Sequence, residues 1–288
     1  MKKLIKTLAV ITAVITAFAA VTAGIAFIAE RIEEIKNKGK ELRHKPYGIY
    51  ERFIKRPLDC FLSTGALIVL SPVFAITSLL VKAKMGSPVL FKQERPGRYG
   101  KSFNMLKFRT MLSPQTRDGK VLTDAERLEC IKNGIDILSD EERLPPIGRA
   151  MRTTSVDELP ELINIIKGDM SIVGPRPLAT IYLPYYTKEE MKRHDVRPGL
   201  TGLAQVNGRN TVSWTKKFKY DVDYANHITF INDLKILLKT VKVVLVHDDI
   251  GQGEERPEAF NTVRERELQE GTVALDDLVN NNCQEEKK

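Results

Sequence analysis

The order of apolar and polar residues divides the chain into three parts. No charged residue occurs from Thr7 to Ala29, which is long enough for a membrane-spanning helix of about 20 apolar residues. A second apolar segment runs from Pro57 to Val81. Beyond Pro88, apolar and charged residues alternate over short intervals, as in a folded domain with a core and a solvated surface. This pattern predicts a membrane-associated N-terminal third and a globular remainder.

The first segment is interpreted as a transmembrane helix. A secretory signal peptide is the alternative, because Lys2 and Lys3 form a basic start and Ala17-Phe18-Ala19 offers a cleavage site of the A-x-A type. A signal core usually has only about 7–15 apolar residues, and this run is longer. Nine Lys and Arg residues lie between positions 31 and 56, whereas three precede the run. Because excess Lys and Arg mark the cytoplasmic side, we expect the N-terminus outside and the remainder inside.

The second segment is broken by Ser71-Pro72. A proline inside a helix removes a backbone hydrogen bond and clashes with the preceding turn, so we expect a bend there. Basic residues flank the segment on both sides. A helix that enters the membrane, turns and leaves by the same face satisfies both flanks, and we therefore favour a re-entrant helix over a kinked span. Asp59 lies four residues after Lys55, which allows an ion pair on one helical face.

The region beyond Pro88 predicts a small domain of mixed helices and strands. Two strand-like stretches, 89–94 and 103–111, bracket a turn and are expected to form a hairpin. A short helix is expected at Leu162–Ile166. From Asp233 to Val246 the apolar residues follow helical spacing, and three lysines form a separate cationic stripe. That helix is interpreted either as lying on a membrane surface or as packing on the core.

Domain boundaries follow from these segments. The last residues, 251–288, are polar and charge-rich, so a mobile tail is expected there. The predicted fold class is membrane-associated α/β, in which a small cytoplasmic domain carries surface amphipathic helices. The predicted order is a transmembrane helix at 1–30, a charged connector at 31–53, a re-entrant helix at 54–86, a globular domain at 87–250 and the tail at 251–288.

Composition narrows the possible partners. The formal charge of +8 favours anionic partners. Aromatic residues make up only 7% of the chain and do not interleave with the basic residues, so no stacking platform for nucleic acid is predicted. The three cysteines, at 60, 130 and 283, are far apart and indicate neither a disulfide framework nor a zinc site. Membrane lipid head groups and phosphorylated substrates remain as the expected partners.

Asp157 and Glu158 form the candidate catalytic pair. They lie within Thr153–Ile163, where capping residues and acids introduce an apolar helical run, and helix N-termini stabilise anions. With Asp157 as the N-cap, Pro160 falls at the third helical position, where its missing N–H loses nothing. An aspartate held there stays ionised, as a carboxylate nucleophile must. An ordinary helix start is the alternative, because acids are common in first helical turns.

Arginines near this pair indicate a diphosphate site. Arg152 precedes the acids, and Arg176 follows them between Pro175 and Pro177, which fix its backbone. Arg209 ends a glycine-rich loop further along the chain. Arginine forks match phosphate oxygens, so several arginines in fixed loops beside an acid pair favour phosphate chemistry.

Together these motifs resemble a known family. Residues 54–249 are similar to the bacterial sugar transferases, the monotopic phosphoglycosyl transferases, and are most similar to their small, bacillosamine-type members. The resemblance implies a re-entrant helix and surface helices that carry a small α/β catalytic domain at the cytoplasmic face of the bacterial plasma membrane. The motifs are Lys55-Arg56-Pro-Leu-Asp59, Ser71-Pro72, Phe91-Lys-Gln-Glu-Arg-Pro-Gly97, Lys107-Phe-Arg-Thr-Met111, Asp157-Glu158-Leu, Lys167-Gly-Asp-Met-Ser-Ile-Val-Gly-Pro-Arg-Pro177 and Arg197-Pro-Gly-Leu-Thr-Gly-Leu-Ala-Gln-Val-Asn-Gly-Arg209.

The resemblance also implies a reaction. Asp157 would attack the sugar-linked phosphate of a UDP-sugar and release UMP, and the covalent aspartyl phospho-sugar would then pass to undecaprenyl phosphate. Glu158 would bind Mg²⁺ as a hard oxygen donor. Arg152 and Arg176 are the implied phosphate ligands. Further candidates for substrate binding are Lys55, Arg56, Lys107 and Arg209.

The sugar is left open by the sequence. The short form and the tail residues Glu258–Asn261 are most similar to members that handle N-acetylated, bacillosamine-type sugars. Galactose, glucose or N-acetylgalactosamine donors are alternatives. A non-catalytic membrane scaffold for polysaccharide assembly is a further alternative, against which the intact Asp157, Glu158 and Arg176 argue. The expected product would pass to downstream glycosyltransferases that extend a surface glycan.

Overall fold

The computed structural model describes residues 44–123, 126, 129–130, 133–208, 212–246 and 258–279. The expected transmembrane helix at Thr7–Ala29 and the candidate Arg209 lie outside these residues. Helices and short strands alternate along the described chain, which confirms the expected mixture of both. The chain divides into two compact units, one comprising Met1–Ala66, Glu94–Met105 and Leu162–Lys288, the other Leu67–Gln93 and Leu106–Glu161.

A helix pair bends at Ser71-Pro72, as the sequence predicts. A π-helical turn, Tyr50–Ile54, leads into α1 (Lys55–Val69), and α2 (Ser71–Met85) follows. The proline lies in the first turn of α2, where its missing N–H breaks no helical bond, so it starts a new helix. The two helices bend by 63° at this break. Among the described residues this pair together has the length and apolar composition of a membrane segment, and no single helix does.

A β-hairpin follows α2. Its strands are β1 (Leu90–Pro96) and β2 (Ser102–Phe108), which pair with each other, as expected. The backbone N–H of Arg109 donates to the carbonyl of Val89 at 2.9 Å, and that of Gly97 donates to the carbonyl of Lys101 at 2.8 Å. These two bonds fix an antiparallel register.

The second unit has its core between α2, the end of β2 and α3 (Pro146–Thr153). Val81, Phe108 and Met151 are buried there. Gly148 lets α3 approach the strand end closely, because a Cβ at this position would lie 1.9 Å from the carbonyl oxygen of Thr110. This close approach places the first turn of α3 next to Thr110.

The first unit is built around two short parallel strands. In β3 (Ser171–Val173) and β4 (Gly199–Thr201), Ser171 pairs with Gly199 and Val173 pairs with Thr201. Residues of both sheet and helices, among them Val173 and Ile236, form the buried core. The helices around the strands are α4 (Glu161–Lys167), which confirms the expected short helix, α5 (Leu203–Val206), α6 (Trp214–Asn226) and α7 (Phe230–Val246).

Helix α7 has one side that packs on the core and another that exposes apolar residues. Ile236 is 3% exposed, and Leu237 packs beside it against the core. On another face, Leu234, Leu238 and Val241 are 44–64% exposed. The predicted helix is confirmed, and its apolar residues serve two surfaces, since only part of the stripe contacts the core.

The C-terminal residues correct one expectation. Helix α8 (Phe260–Gln269) buries the ring of Phe260 at 0% exposure. Leu278 is also buried and forms a β-bridge with Thr187. The expected mobile tail is therefore wrong for residues 258–279, because two apolar side chains anchor an otherwise polar stretch to the first unit.

Candidate active site

Asp157 and Glu158 lie in a tight turn that precedes α4. Ser155 adopts a left-handed conformation with φ 56°, and a 3₁₀ helix spans Val156–Glu158. The N–H of Glu158 donates to the carbonyl of Ser155 at 3.2 Å, a bond of the 3₁₀ type. Since α4 begins only at Glu161, the prediction that Asp157 is its N-cap is wrong. The physical reason is the left-handed Ser155, which closes a separate turn before the helix.

The backbone of this turn stores strain. A left-handed conformation at a non-glycine residue costs of order 1–3 kcal/mol and persists only where the surroundings impose it, often at functional sites. Ser155 lies two residues before Asp157, which is 9% exposed. The strained turn therefore holds a nearly buried carboxylate in a defined position.

Lys107 binds the acid turn from β2. Its Nζ lies 2.7 Å from Oε1 of Glu158 and 3.1 Å from Oε1 of Glu161. The side chains of Lys107, Glu158 and Glu161 are 15%, 20% and 3% exposed, so water screens these pairs less than it screens surface pairs. The structure thus brings together two predicted site residues and adds Glu161. Its position three residues after Glu158, about one helical turn, is the signal that could have found it.

Two arginines of the second unit have different surroundings. Arg152, in the last turn of α3, is exposed, and its Nε donates to Oγ1 of Thr110 at 3.0 Å. Arg109 is buried, and its guanidinium donates to the carbonyls of Met85 and Ser87 at the end of α2. Burial lowers the pKa of Arg109. Arg109 therefore caps a helix, whereas Arg152 is accessible to a ligand.

Lys55 is buried in the first unit at the start of α1. Its Nζ lies 2.6 Å from Oδ2 of Asp233 and 3.8 Å from Oδ2 of Asp59. The expected ion pair with Asp59 is therefore confirmed, and Asp233 is the nearer partner. Because the side chain of Lys55 is only 7% exposed, its main contacts are with the protein, and its role in substrate binding stays a prediction.

Arg56 is also buried and binds the end of α4. Its Nη1 donates to the carbonyl of Ile165 at 2.7 Å, and its Nη2 donates to that of Ile166 at 2.9 Å. Both carbonyls belong to the last turn of α4, where a cation interacts favourably with the helix dipole. The structure gives Arg56 a capping role, and its role as a substrate ligand stays a prediction.

Arg176 is exposed on the loop after β3, and its backbone is fixed. The N–H of Gly199 donates to the carbonyl of Pro175 at 3.0 Å, and Nη2 of Arg193 donates to the carbonyl of Arg176 at 2.6 Å. Flanking prolines restrict the same stretch. An exposed guanidinium on a fixed backbone is suited to bind phosphate oxygens.

The carboxylates of the acid turn fit a hard divalent cation. Mg²⁺ is usually bound by one or two carboxylates together with substrate phosphates, and Asp157 and Glu158 are adjacent carboxylates on one turn. Within the described residues no group of three or more His, Cys, Asp or Glu side chains is placed to hold a metal. A Mg²⁺ ion bound by Glu158 would share that carboxylate with Lys107.

The chain is similar in sequence to a known protein family and to several of its members. The profile of the bacterial sugar transferase family matches residues 50–247. An uncharacterized sugar transferase of Bacillus subtilis, EpsL, is 46% identical over 199 residues, which cover 69% of this chain and 91% of that protein.

Two further relatives carry the names of specific enzymes. The undecaprenyl-phosphate galactose phosphotransferase of Salmonella typhimurium is 38% identical over 198 residues, 68% of this chain and 41% of that protein. The UDP-glucose:undecaprenyl-phosphate glucose-1-phosphate transferase of Caulobacter vibrioides is 36% identical over 203 residues, 68% of this chain and 71% of that protein. The matched part of the chain thus spans most of some relatives and about two fifths of another.

Proposed function

The chain belongs to the bacterial sugar transferase family, and from this premise we propose that it transfers a sugar-1-phosphate from a UDP-sugar to undecaprenyl phosphate. The products are UMP and a polyprenyl diphosphate-sugar that starts a surface glycan such as an exopolysaccharide, capsule or glycoprotein glycan. The observation that carries the proposal is the strained turn that presents Asp157 beside Glu158, with Lys107 bound 2.7 Å from Glu158.

Asp157 acts as the nucleophile in the first step. Its carboxylate oxygen attacks the phosphorus bonded to the sugar, and the bond to the oxygen that bridges the two phosphates breaks, so UMP leaves with that oxygen. In the second step, a phosphate oxygen of undecaprenyl phosphate attacks the same phosphorus. The bond to Asp157 breaks and the free carboxylate is restored. The two displacements make the reaction ping-pong.

Cationic side chains offset the charge of the diphosphate. Lys107 supplies an ammonium beside Glu158, and we assign phosphate binding to Arg152 and Arg176 because both are exposed guanidinium groups. Mg²⁺ bound by Glu158 would supply additional positive charge and screen the phosphate oxygens. Preorganised positive charge of this kind stabilises the charge that develops during phosphoryl transfer.

The acceptor explains the apolar helix pair. Undecaprenyl phosphate keeps its chain in the bilayer and its phosphate at the head groups, so the site must lie at head-group depth. We propose that Tyr50–Val69 and Ser71–Met85, bent by 63°, enter and leave the cytoplasmic face of the plasma membrane as a re-entrant helix. The basic flanks of the pair support this orientation.

An assay of UMP release tests the proposal and identifies the donor. The full chain in detergent or nanodiscs is incubated with Mg²⁺, undecaprenyl phosphate and, in turn, UDP-galactose, UDP-glucose and N-acetylated UDP-sugars. We expect UMP from at least one donor and, without acceptor, a phospho-sugar adduct on Asp157 detected by peptide mass spectrometry.

The matched variants are Asp157→Asn and Glu141→Gln. Asp157→Asn removes the nucleophilic carboxylate, so UMP release and the adduct should both disappear. Glu141 is exposed in the same unit, and its variant should keep wild-type turnover. Normal turnover by Asp157→Asn would sink the covalent mechanism. A folded wild-type protein that releases no UMP from any donor would instead favour a non-catalytic scaffold.

A further inference from the structure

The C-terminal segment, residues 258–279, packs against the part of the first unit that carries Arg176. The family profile ends at residue 247, so this segment lies beyond the matched region. Phe260 is fully buried, and its ring centroid lies 4.8 Å from that of Phe218 and 5.4 Å from that of Tyr186. The segment therefore completes an aromatic cluster whose other rings belong to the family region.

Polar contacts fix the same segment along its length. Nη2 of Arg264 lies 2.6 Å from Oε1 of Glu190, and the side chains are only 3% and 14% exposed. The backbone N–H of Val279 donates to the carbonyl of Tyr186 at 3.1 Å, and that of Lys188 donates to the carbonyl of Asp277 at 2.8 Å. The segment thus holds the stretch 186–190 by its backbone as well as by its side chains.

The aromatic cluster in turn encloses Arg193. The guanidinium carbon of Arg193 lies 5.7 Å from the ring centroids of both Tyr186 and Phe218. Its Nε and Nη2 donate to Oδ2 of Asp221 at 3.0 and 2.8 Å. Burial alone acts to lower the pKa of Arg193, but Tyr186 and Asp221 outweigh burial and raise that pKa above its usual value. Arg193 therefore stays charged in the interior.

Arg193 in turn contacts the backbone of Arg176. Nη2 of Arg193, besides binding Asp221, donates to the carbonyl of Arg176 at 2.6 Å. The Arg193 side chain is held by its ion pair and by two aromatic rings, so it is a rigid donor that fixes the backbone of Arg176. The side chain of Arg176 itself is exposed.

We propose that residues 258–279 are a positioning element for Arg176, acting through Phe260, the aromatic cluster and Arg193. This inference rests on the proposed function, in which Arg176 binds a phosphate of the donor. Phe260 and Arg193 are positioning residues that do not touch the substrate. Loosening the segment should weaken donor binding, because the guanidinium would sample more directions.

A double-mutant cycle tests the proposal. The dissociation constant for UMP or the preferred UDP-sugar is measured by calorimetry on the full chain in detergent, for Phe260→Ala, Arg176→Gln and the double variant. We expect Phe260→Ala to weaken binding roughly tenfold in the wild-type background and to have no further effect when Arg176 is already Gln. A general structural role would weaken both backgrounds equally, and that result would overturn the proposal.

Controls separate positioning from loss of fold. Arg266→Gln changes an exposed residue of α8, 54% exposed and paired with Glu258, and should leave binding unchanged. If Phe260→Ala does not fold, Phe260→Leu keeps most of the apolar volume without the ring and should weaken binding about threefold. Unchanged binding in that variant would also overturn the proposal. A wild-type protein that binds neither UMP nor any UDP-sugar would instead refute the proposed function itself.

Discussion

Two clusters in this molecule have the same composition, one lysine between two carboxylates, but different surroundings. In the first unit Lys55 lies 2.6 Å from Asp233 and has Asp59 as its second partner. In the second unit Lys107 lies between Glu158 and Glu161. Charge and spacing therefore do not distinguish the buried cluster around Lys55 from the cluster around Lys107 at the candidate site.

Hydrogen bonding and exposure do separate them. Tyr50 and Tyr224 donate to Asp233 at 2.8 Å, and Ser171 donates to Asp59 at 2.6 Å. The protein thus supplies the partners of that buried cluster, which suits a role in holding the fold. The Glu158 side chain, at 20% exposure, can exchange a partner for a ligand. The two clusters therefore differ in the exposure of one carboxylate, which is 20% for Glu158 and 5% for Asp233.

The largest effect should come from breaking the buried cluster. Lys55→Met removes the ammonium that contacts both Asp59 and Asp233 and takes this cation away from two buried carboxylates. This change should lower the free energy of unfolding by about 3–5 kcal/mol. Denaturant unfolding in detergent measures this loss. Lys235→Met, at an exposed position of α7, should stay within about 0.5 kcal/mol of wild type. A loss below about 1 kcal/mol for Lys55→Met would mean that the cluster does not stabilise the fold.

The second effect should appear in activity. Lys107→Gln removes the ammonium beside the acid turn, so turnover should fall about 100-fold, as when one preorganised charge is lost. Its stability should change less than that of Lys55→Met, because Lys107 and Glu158 are partly exposed and one buried carboxylate, Glu161, loses its lysine instead of two. UMP release and thermal unfolding measure the two quantities. Lys92→Gln, exposed on β1, is the matched control and should retain full turnover. Unchanged turnover in Lys107→Gln would remove Lys107 from the site.

The last effect is the smallest per pH unit and concerns the buried His194. Burial, reinforced by the charge of Arg193, lowers the pKa of His194 to about 3, against about 6.5 in an unfolded chain. Between these values the unfolded state binds a proton that the folded state does not, so stability is full above about pH 6.5 and falls on acidification, by at most about 1.4 kcal/mol per pH unit. The free energy of unfolding, measured between about pH 6.5 and 4.5, should decrease with falling pH. In His194→Gln this decrease should be smaller. Equal slopes in both proteins would contradict the assignment.

Local patterns in the sequence predicted several elements correctly. Ser71-Pro72 predicted the bend and the strand-like stretches predicted the hairpin, because proline and alternating residues act on their own neighbours. The motifs also identified the family and the enzyme class, phosphoglycosyl transferase, and the relatives confirm both. Features that are determined by residues adjacent in sequence can be predicted from a single sequence.

Features that depend on distant partners were missed or misread. The sequence predicts a helix cap at Asp157, but the left-handed Ser155 forms a separate turn and the helix begins only at Glu161. The sequence also predicts a mobile tail at Phe260, because its partners Tyr186 and Phe218 lie far away in sequence. Asp233 could not be recognised as the nearer partner of Lys55 at a separation of 178 residues. The roles of Arg152, Arg176 and Mg²⁺ stay predictions.

The adjacent residues Lys55 and Arg56 have a consequence for protein engineering. Because Lys55 is tied to α7 and Arg56 to the end of α4, the first turn of α1 belongs mechanically to the first unit. A chimera that replaces the apolar helix pair by that of a relative should therefore join beyond Cys60, so that both anchors stay with their native receptors. A junction placed before Lys55 would replace Lys55 and Arg56 by residues of the relative. The native Asp233 carboxylate and the last carbonyls of α4 would then lose their native donors.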